Sequence, residues 1–279
     1  MNNLIIEPLM YEFIQRGLIA AVIVGITCGV IGCYVVLKSL AFMGDALAHA
    51  ILPGVAIAYL LSVNLLLGAL VAAFLVALGI GYISRRGDLR EDTAIGILFA
   101  GSLALGVALI SNIKTYAVDL NHILFGNVLG VSTGDLILVA VLSGVVLLTI
   151  LILYRPFLLI SFDAILARTL YLPVEGLRYL LLILLALTIV VSLQTVGIGL
   201  VTALLVTPAA TAYLLTRRLP AMMAVAASVG ALSGVLGIYA SYYWEISSGA
   251  SIVLVSTFFF FIVFLFAPQK GILWQRKRR

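Results

Sequence analysis

The stretch GLIAAVIVGITCGVIGCYVVL, residues 17–37, contains 21 residues and no charged side chain. An α-helix needs ~20 mostly apolar residues to cross a hydrocarbon core ~30 Å thick. Further runs of comparable length and hydropathy lie at 43–62, 64–84, 93–113, 134–154, 177–195, 197–216, 220–240 and 249–267. The sequence therefore predicts an all-α polytopic membrane protein with about nine transmembrane helices. The number is eight if a tight junction near 62–64 or 194–197 lies inside one helix.

The composition of the whole chain points to the same class. Hydrophobic residues make up 64% of the sequence and charged residues 10%, whereas a soluble domain is roughly half apolar and a quarter charged. Disorder is excluded because it requires low hydrophobicity and high net charge. The net charge of +5 comes with no soluble domain and no interleaved aromatic residues that would favour nucleic-acid binding. Residues 1–279 are predicted to form a single transmembrane domain.

Basic residues set the orientation of the predicted helices. Two predicted spans separate each cluster of basic residues from the next, so all the clusters can lie on the cytoplasmic side, as the positive-inside rule prefers. This arrangement predicts a cytoplasmic C-terminus and an N-terminus on the outer side. The clusters are Arg85, Arg86 and Arg90; Arg155, Arg168 and Arg178; Arg217 and Arg218; and Arg276, Lys277, Arg278 and Arg279.

Two connections have unusual composition. Residues 161–176 (SFDAILARTLYLPVEG) carry apolar side chains near helical spacing, which predicts a short amphipathic helix on the cytoplasmic face. Such a helix lies on lipid or docks a soluble partner, and the spacing leaves both interpretations open. Residues 114–133 contain Asp119 and His122. This outer connection is a re-entrant or gating element in the cation pathway, or a folded loop.

Asp45 and His49 are the ionisable residues that lie inside a predicted span rather than at its end. Their i, i+4 spacing places both side chains on one helix face. At 1.5 Å rise per residue, Asp45 lies ~10 Å and His49 ~16 Å beyond Lys38, near the depth of transporter binding sites. A charge at this depth costs at least ~2.5–3.5 kcal/mol, so the pair is expected to face a cavity or a partner.

Three chemistries fit this pair when the residues are considered alone. A carboxylate with a neutral imidazole forms half a site for Mn²⁺, Fe²⁺ or Zn²⁺. A buried pair that only holds helices together is the second interpretation, and a proton path is the third. Cys28 and Cys33 are five residues apart on one helix and are interpreted as small apolar side chains, not as a disulfide. The sequence contains no phosphate-binding loop, so any ATP hydrolysis belongs to another chain.

Four stretches resemble the permeases of the manganese/zinc/iron ATP-binding-cassette importers. The resemblance runs in order along nearly the whole chain and is greatest to manganese-type members through residues 119–130. The stretches are GDALAHAILPG at 44–54, EDTAIGI at 91–97, DLNHILFGNVLG at 119–130, and VGIGL through PAATA at 196–212.

This resemblance implies a type II importer fold, a homodimer, two cytoplasmic ATPase subunits and an external metal-binding protein in a prokaryotic cytoplasmic membrane. It implies that Asp45 and His49 coordinate a metal in transit, with Mn²⁺ favoured over Zn²⁺ or Fe²⁺. The chain would not be an enzyme and would hold no permanent cofactor, since ATP binds the partner. A proton-coupled secondary metal transporter is the alternative.

The resemblance also assigns a role to the cytoplasmic segment. A coupling helix at 162–174 would dock into the ATPase. Its contact residues would be Phe162, Asp163, Ala164, Ala167, Arg168 and Leu170. The sequence departs from the family at Tyr171, where relatives commonly have glycine before Leu-Pro-Val.

Overall fold

The structure is a computed structural model that describes residues 7–86, 90–111, 130–196 and 198–267. Helices and their connections account for these residues, and the described part of the chain contains no strand. The predicted all-α class is therefore confirmed. The helices are α1 Glu12–Leu37, α2 Ala41–Ala50, α3 Leu52–Leu60, α4 Leu65–Arg86, α5 Glu91–Ser111, α6 Thr133–Ile152, α7 Tyr154–Phe162, α8 Ala164–Thr169, α9 Val174–Val196, α10 Ile198–Leu215, α11 Leu219–Trp244 and α12 Ser248–Phe266.

The membrane-spanning helices agree with the predicted number of eight to nine. Within the described ranges, 8 helical segments are long and apolar enough to cross a bilayer, with α2 and α3 forming one of them. Helix α10 is apolar but shorter, and counting it as a span raises the number from eight to nine. Pro208 lies inside α10. The basic tail at 276–279 lies outside the described residues.

The second predicted span, 43–62, is interrupted in the middle. Helix α2 ends at Ala50, and α3 begins at Leu52 with Pro53 in its first turn. Proline has no backbone N–H and its ring clashes with the preceding turn, so it is tolerated at a helix start and not in a helix interior. The interruption at Ile51 lies two residues after His49.

Helix α1 lies at the centre of the bundle and packs against α6, α9, α10 and α11. Two glycines allow this close packing. A Cβ atom added at Gly25 would lie 2.4 Å from the Gly230 carbonyl oxygen on α11, and one at Gly32 would lie 1.9 Å from the Leu205 carbonyl oxygen on α10. Small residues at helix contacts are typical of membrane bundles, where tight van der Waals packing drives association.

The two cysteines are buried free thiols, as predicted. The Sγ atom of Cys28 lies 3.1 Å from the Ser192 hydroxyl on α9. Cys33 donates a hydrogen bond of 3.3 Å to the Gly29 carbonyl of its own helix. Both side chains therefore act as small packing groups in the bundle.

Candidate metal pathway and coupling segment

Asp45 and His49 point the same way from α2, as their spacing predicts. The Asp45 Oδ1 and His49 Nε2 atoms are 3.6 Å apart. This separation is too long for a hydrogen bond. The two groups are therefore close neighbours that are not hydrogen-bonded to each other. When the imidazole is neutral, both have lone pairs that can bind a third partner.

The 3.6 Å separation suits two donors on one metal ion. Carboxylate oxygen and imidazole nitrogen bind Zn²⁺ at ~2.0–2.2 Å. At those bond lengths, donors this far apart subtend roughly 110–130° at a shared ion, close to the tetrahedral angle. A divalent cation can thus contact both side chains with little rearrangement of α2.

Among the described residues, the pair lies on the face of α2 that no neighbouring helix covers. The side chains of Asp45 and His49 are 49% and 29% exposed, and Phe42 on the same face is 82% exposed. The opposite faces are buried, because Met43, Gly44, Ala46, Leu47, Ala48 and Ala50 pack into the bundle. The polar pair is therefore at the surface of a single chain, at a depth where exposure to lipid would be costly.

Neighbouring helices fix the position of this face. The His49 ring packs edge-on against Phe99 of α5, with ring centroids 5.9 Å apart. Behind α2, a Cβ atom added at Gly44 would lie 3.0 Å from the Leu205 side chain of α10. The small residues of α2 thus allow close approach of a helix of the same chain. The sequence did not indicate that Phe99 contacts His49, because a single aromatic residue in an apolar span is most often a packing residue.

Two protein donors are too few for a closed metal site. Among the described residues, no group of three or more His, Cys, Asp or Glu side chains could hold a metal ion. Asp119 and His122, predicted for the outer side of the pathway, lie outside the described residues. Thr211 donates to the Thr207 carbonyl of its own helix at 2.7 Å, so its hydroxyl is occupied by the backbone.

The segment 161–176, predicted to contain a short amphipathic helix, contains the end of α7, the helix α8 and the start of α9. Phe162 ends α7, and Asp163 breaks the helix with an extended backbone. The Asp163 carboxylate then caps α8 by accepting hydrogen bonds from the Ile165 and Leu166 amides at 3.0 and 2.9 Å. The predicted short helix is therefore present as α8, but its bounds are narrower than predicted, because the Asp163 cap fixes its start and Phe162 belongs to α7.

Helix α8 and the residues on either side of it present exposed apolar side chains. Ala167 is fully buried and anchors the helix on the bundle, whereas Ile165 is 77% exposed and Tyr171 is 96% exposed. The exposed side chains, which we call the apolar ridge, are Phe162, Ile165, Leu166, Leu170 and Tyr171. Arg168 pairs with Glu175 at the start of α9 at 3.2 Å, which ties this short helix to the next span.

Tyr171 follows α8 in the left-handed conformation, with φ of 57°. This conformation costs an L-residue roughly 1–2 kcal/mol relative to right-handed backbone, a cost that glycine does not have. The resemblance to the importer permeases implies glycine at this position. Tyr171 therefore adopts the backbone conformation that glycine favours after a helix, and it adds an exposed aromatic ring there.

Comparison with known proteins agrees with the fold and with the sequence motifs. Residues 10–267 match the model of the family described as "ABC 3 transport family". The chain belongs to the ABC 3 transport family. It is 50% identical to the manganese transport system membrane protein MntC of Halalkalibacterium halodurans, over 98% of this chain and 94% of that protein. It is 43% identical to a probable iron transport system membrane protein of Haemophilus influenzae, over 96% and 98% of the two chains.

Solved structures place this ABC 3 permease in the same fold. It resembles PsaBC from Streptococcus pneumoniae with a TM-score of 0.87 and 40% identity over 99% of both chains. An inward-facing putative metal-chelate type ABC transporter matches with a TM-score of 0.70 at 18% identity, over 90% of this chain and 85% of that one, which shows the fold alone. The predicted type II importer architecture and the predicted family are confirmed. The chain is a multi-pass membrane permease of the ABC type.

Proposed function

We propose that this permease imports a divalent transition metal, with Mn²⁺ as the favoured cargo and Zn²⁺ or Fe²⁺ as weaker candidates. The observation that carries the proposal is the Asp45–His49 pair, with donor atoms 3.6 Å apart inside an apolar span. The relatives named for manganese and iron transport support a metal cargo of this class. A carboxylate with an imidazole suits such ions and excludes none of the three.

A second copy of the chain covers the open face of α2. Asp45 and His49 would otherwise lie in hydrocarbon, where an uncompensated charge is costly. Two copies related by a two-fold axis place two carboxylates and two imidazoles around one pathway. The ion then exchanges among few ligands and water, which allows release, whereas a closed four-ligand cage would retain it.

The apolar ridge on α8 is the docking site for a cytoplasmic ATPase subunit, one for each copy. Exposed Ile165 and Tyr171 provide the aromatic and aliphatic anchors that bind into pockets of a partner. ATP binds and is hydrolysed on that partner, and an external metal-binding protein delivers the ion. The permease lies in a prokaryotic cytoplasmic membrane with its C-terminus in the cytoplasm.

Reconstitution into vesicles tests the energy source. The permease with its ATPase is expected to take up Mn²⁺ when the external binding protein and ATP are supplied on their correct sides. A protonophore should leave this uptake unchanged. Uptake that needs a proton gradient and continues without ATP would support the proton-coupled transporter and contradict the proposal.

Replacing Tyr171 separates backbone strain from docking. Tyr171→Gly is expected to raise the free energy of unfolding of the isolated permease by roughly 0.5–1 kcal/mol, because glycine accepts positive φ. The same substitution should weaken ATPase binding at least about fivefold, as loss of an aromatic anchor does. Tyr171→Phe is the matched control, since it keeps both ring and strain. Unchanged ATPase affinity in Tyr171→Gly would remove Tyr171 from the docking site.

A further inference from the structure

A polar network joins the cytoplasmic ends of three helices. Arg178 Nε, on α9, lies 2.5 Å from Glu91 Oε1 at the start of α5. Arg178 Nη2 donates a hydrogen bond of 2.7 Å to the Ser84 hydroxyl near the end of α4. Arg178 and Glu91 therefore form an ion pair between α9 and α5. The pair is only 20% and 25% exposed, which protects it from solvent screening.

The start of α9, close to Arg178, is also joined to helix α8. Glu175 pairs with Arg168 of α8 at 3.2 Å. Glu175 and Arg178 are three residues apart on α9 and are neighbours on the helix surface. The Arg168–Glu175 pair therefore joins α8 to α9 within one turn of the contact between Arg178 and Glu91.

Helix α5 connects Glu91 to the metal-binding face. Phe99 lies eight residues after Glu91, about 12 Å along the helix axis, and packs on the His49 ring. A helix is stiff over this length, so a shift of its first turn moves Phe99 as well. The charge of Lys38, which precedes α2, also interacts with the charges of Glu91 and Arg178. Burial lowers its pKa, the charge of Glu91 opposes that shift, and the charge of Arg178 adds to it.

We propose that the Glu91–Arg178 pair transmits motion of the docked helix α8 to α5, and through Phe99 to the Asp45–His49 face. Glu91 and Arg178 thus act as positioning residues and are assigned neither to the metal site nor to the apolar ridge. The inference rests on the proposed ATP-driven import. Glu91 belongs to the EDTAIGI stretch at 91–97, which contributes to neither the metal site nor the apolar ridge. The inference gives this stretch a role.

The structure gives two reasons why an ion pair suits this role. The pair joins helices that are distant in sequence, and it holds them in a place where the charges are largely desolvated. Removing one member leaves the other charge without its partner in that place, which is strongly unfavourable. The arrangement therefore favours joint movement of α5 and α9 over sliding of one past the other.

The test measures metal imported per ATP hydrolysed by the complete complex in vesicles with the external binding protein. Glu91→Gln together with Arg178→Gln removes the pair without leaving either of its members as an unpaired charge. This variant is expected to hydrolyse ATP at the wild-type rate and to import at least about fivefold less metal per ATP, the lower end of typical coupling energies. The exchanged pair, Glu91→Arg with Arg178→Glu, should recover import per ATP.

Asp92→Asn is the matched control, because Asp92 is an exposed acidic residue next to Glu91 at the same helix start. It should leave import per ATP at the wild-type value. The inference is overturned if the Gln/Gln variant behaves like Asp92→Asn, or if its ATP hydrolysis and complex assembly fall in parallel with import. Absence of ATP-dependent import by the wild-type complex would instead overturn the proposed function, and the inference with it.

Discussion

Replacing Asp45 with alanine is expected to lower the initial rate of Mn²⁺ uptake by at least about 100-fold. Loss of groups that only support metal ligands already costs 10–100-fold in metal affinity or activity, and loss of a ligand costs at least as much. His49→Ala should have an effect of the same order, because the two donors act on one ion. Uptake is measured with radioactive Mn²⁺ in vesicles that contain the wild-type or variant complex.

Assembly of the variant is the necessary control for this effect. Asp45 is about half exposed in the single chain, so its removal leaves no cavity in the bundle. The variant should therefore elute from a sizing column as the same complex as the wild type. Asp92→Ala, at the exposed start of α5, is the carboxylate control and should retain uptake. Wild-type uptake by both Asp45→Ala and His49→Ala would show that the pair only stabilises the assembly.

Replacing Gly32 with alanine is expected to give the largest effect on stability. The added Cβ atom would lie 1.9 Å from the Leu205 backbone carbonyl oxygen, and a backbone atom of a packed helix cannot move aside cheaply. Overpacking of this kind costs about 1–3 kcal/mol and occasionally more. Because α1 is the central helix, separation of α1 from α10 would disturb the whole bundle.

Gly144 on α6 supplies the matched control for this substitution. A Cβ atom added there meets no atom of the described residues within 4 Å. Gly144→Ala should therefore be neutral or stabilising by up to ~1 kcal/mol, since alanine has the higher helix propensity. Thermal unfolding in detergent measures both variants. Equal transition temperatures for Gly32→Ala and Gly144→Ala would contradict the close approach of α1 and α10.

The membrane-spanning helices could be predicted from sequence because the bilayer allows few alternatives. Every backbone polar group in hydrocarbon must be satisfied internally, so a long apolar run in a chain of this composition forms a helix. Asp45 and His49 could be found for a related reason: ionisable residues within an apolar run are costly and therefore conspicuous. The interruption after His49 was also indicated locally, by Pro53.

Other features depend on contacts between distant parts of the chain. Glu91 and Arg178 lie 87 positions apart in the sequence. In the sequence alone, each is an ordinary charged residue at the end of a span. Phe99 gains its meaning only when α5 is placed against α2. The bounds of α8 were missed because apolar spacing alone does not show that Asp163 caps a new helix and that Phe162 belongs to the helix before it.

The location of Mn²⁺ in the assembled transporter tests the central claim most directly. Crystals of the permease–ATPase complex grown with Mn²⁺, and measured at the manganese absorption edge, identify the ion by its anomalous scattering. The account predicts a manganese peak between the two copies of the permease, within coordinating distance of Asp45 and His49. A peak elsewhere in the chain, with neither side chain in contact with the ion, would contradict it.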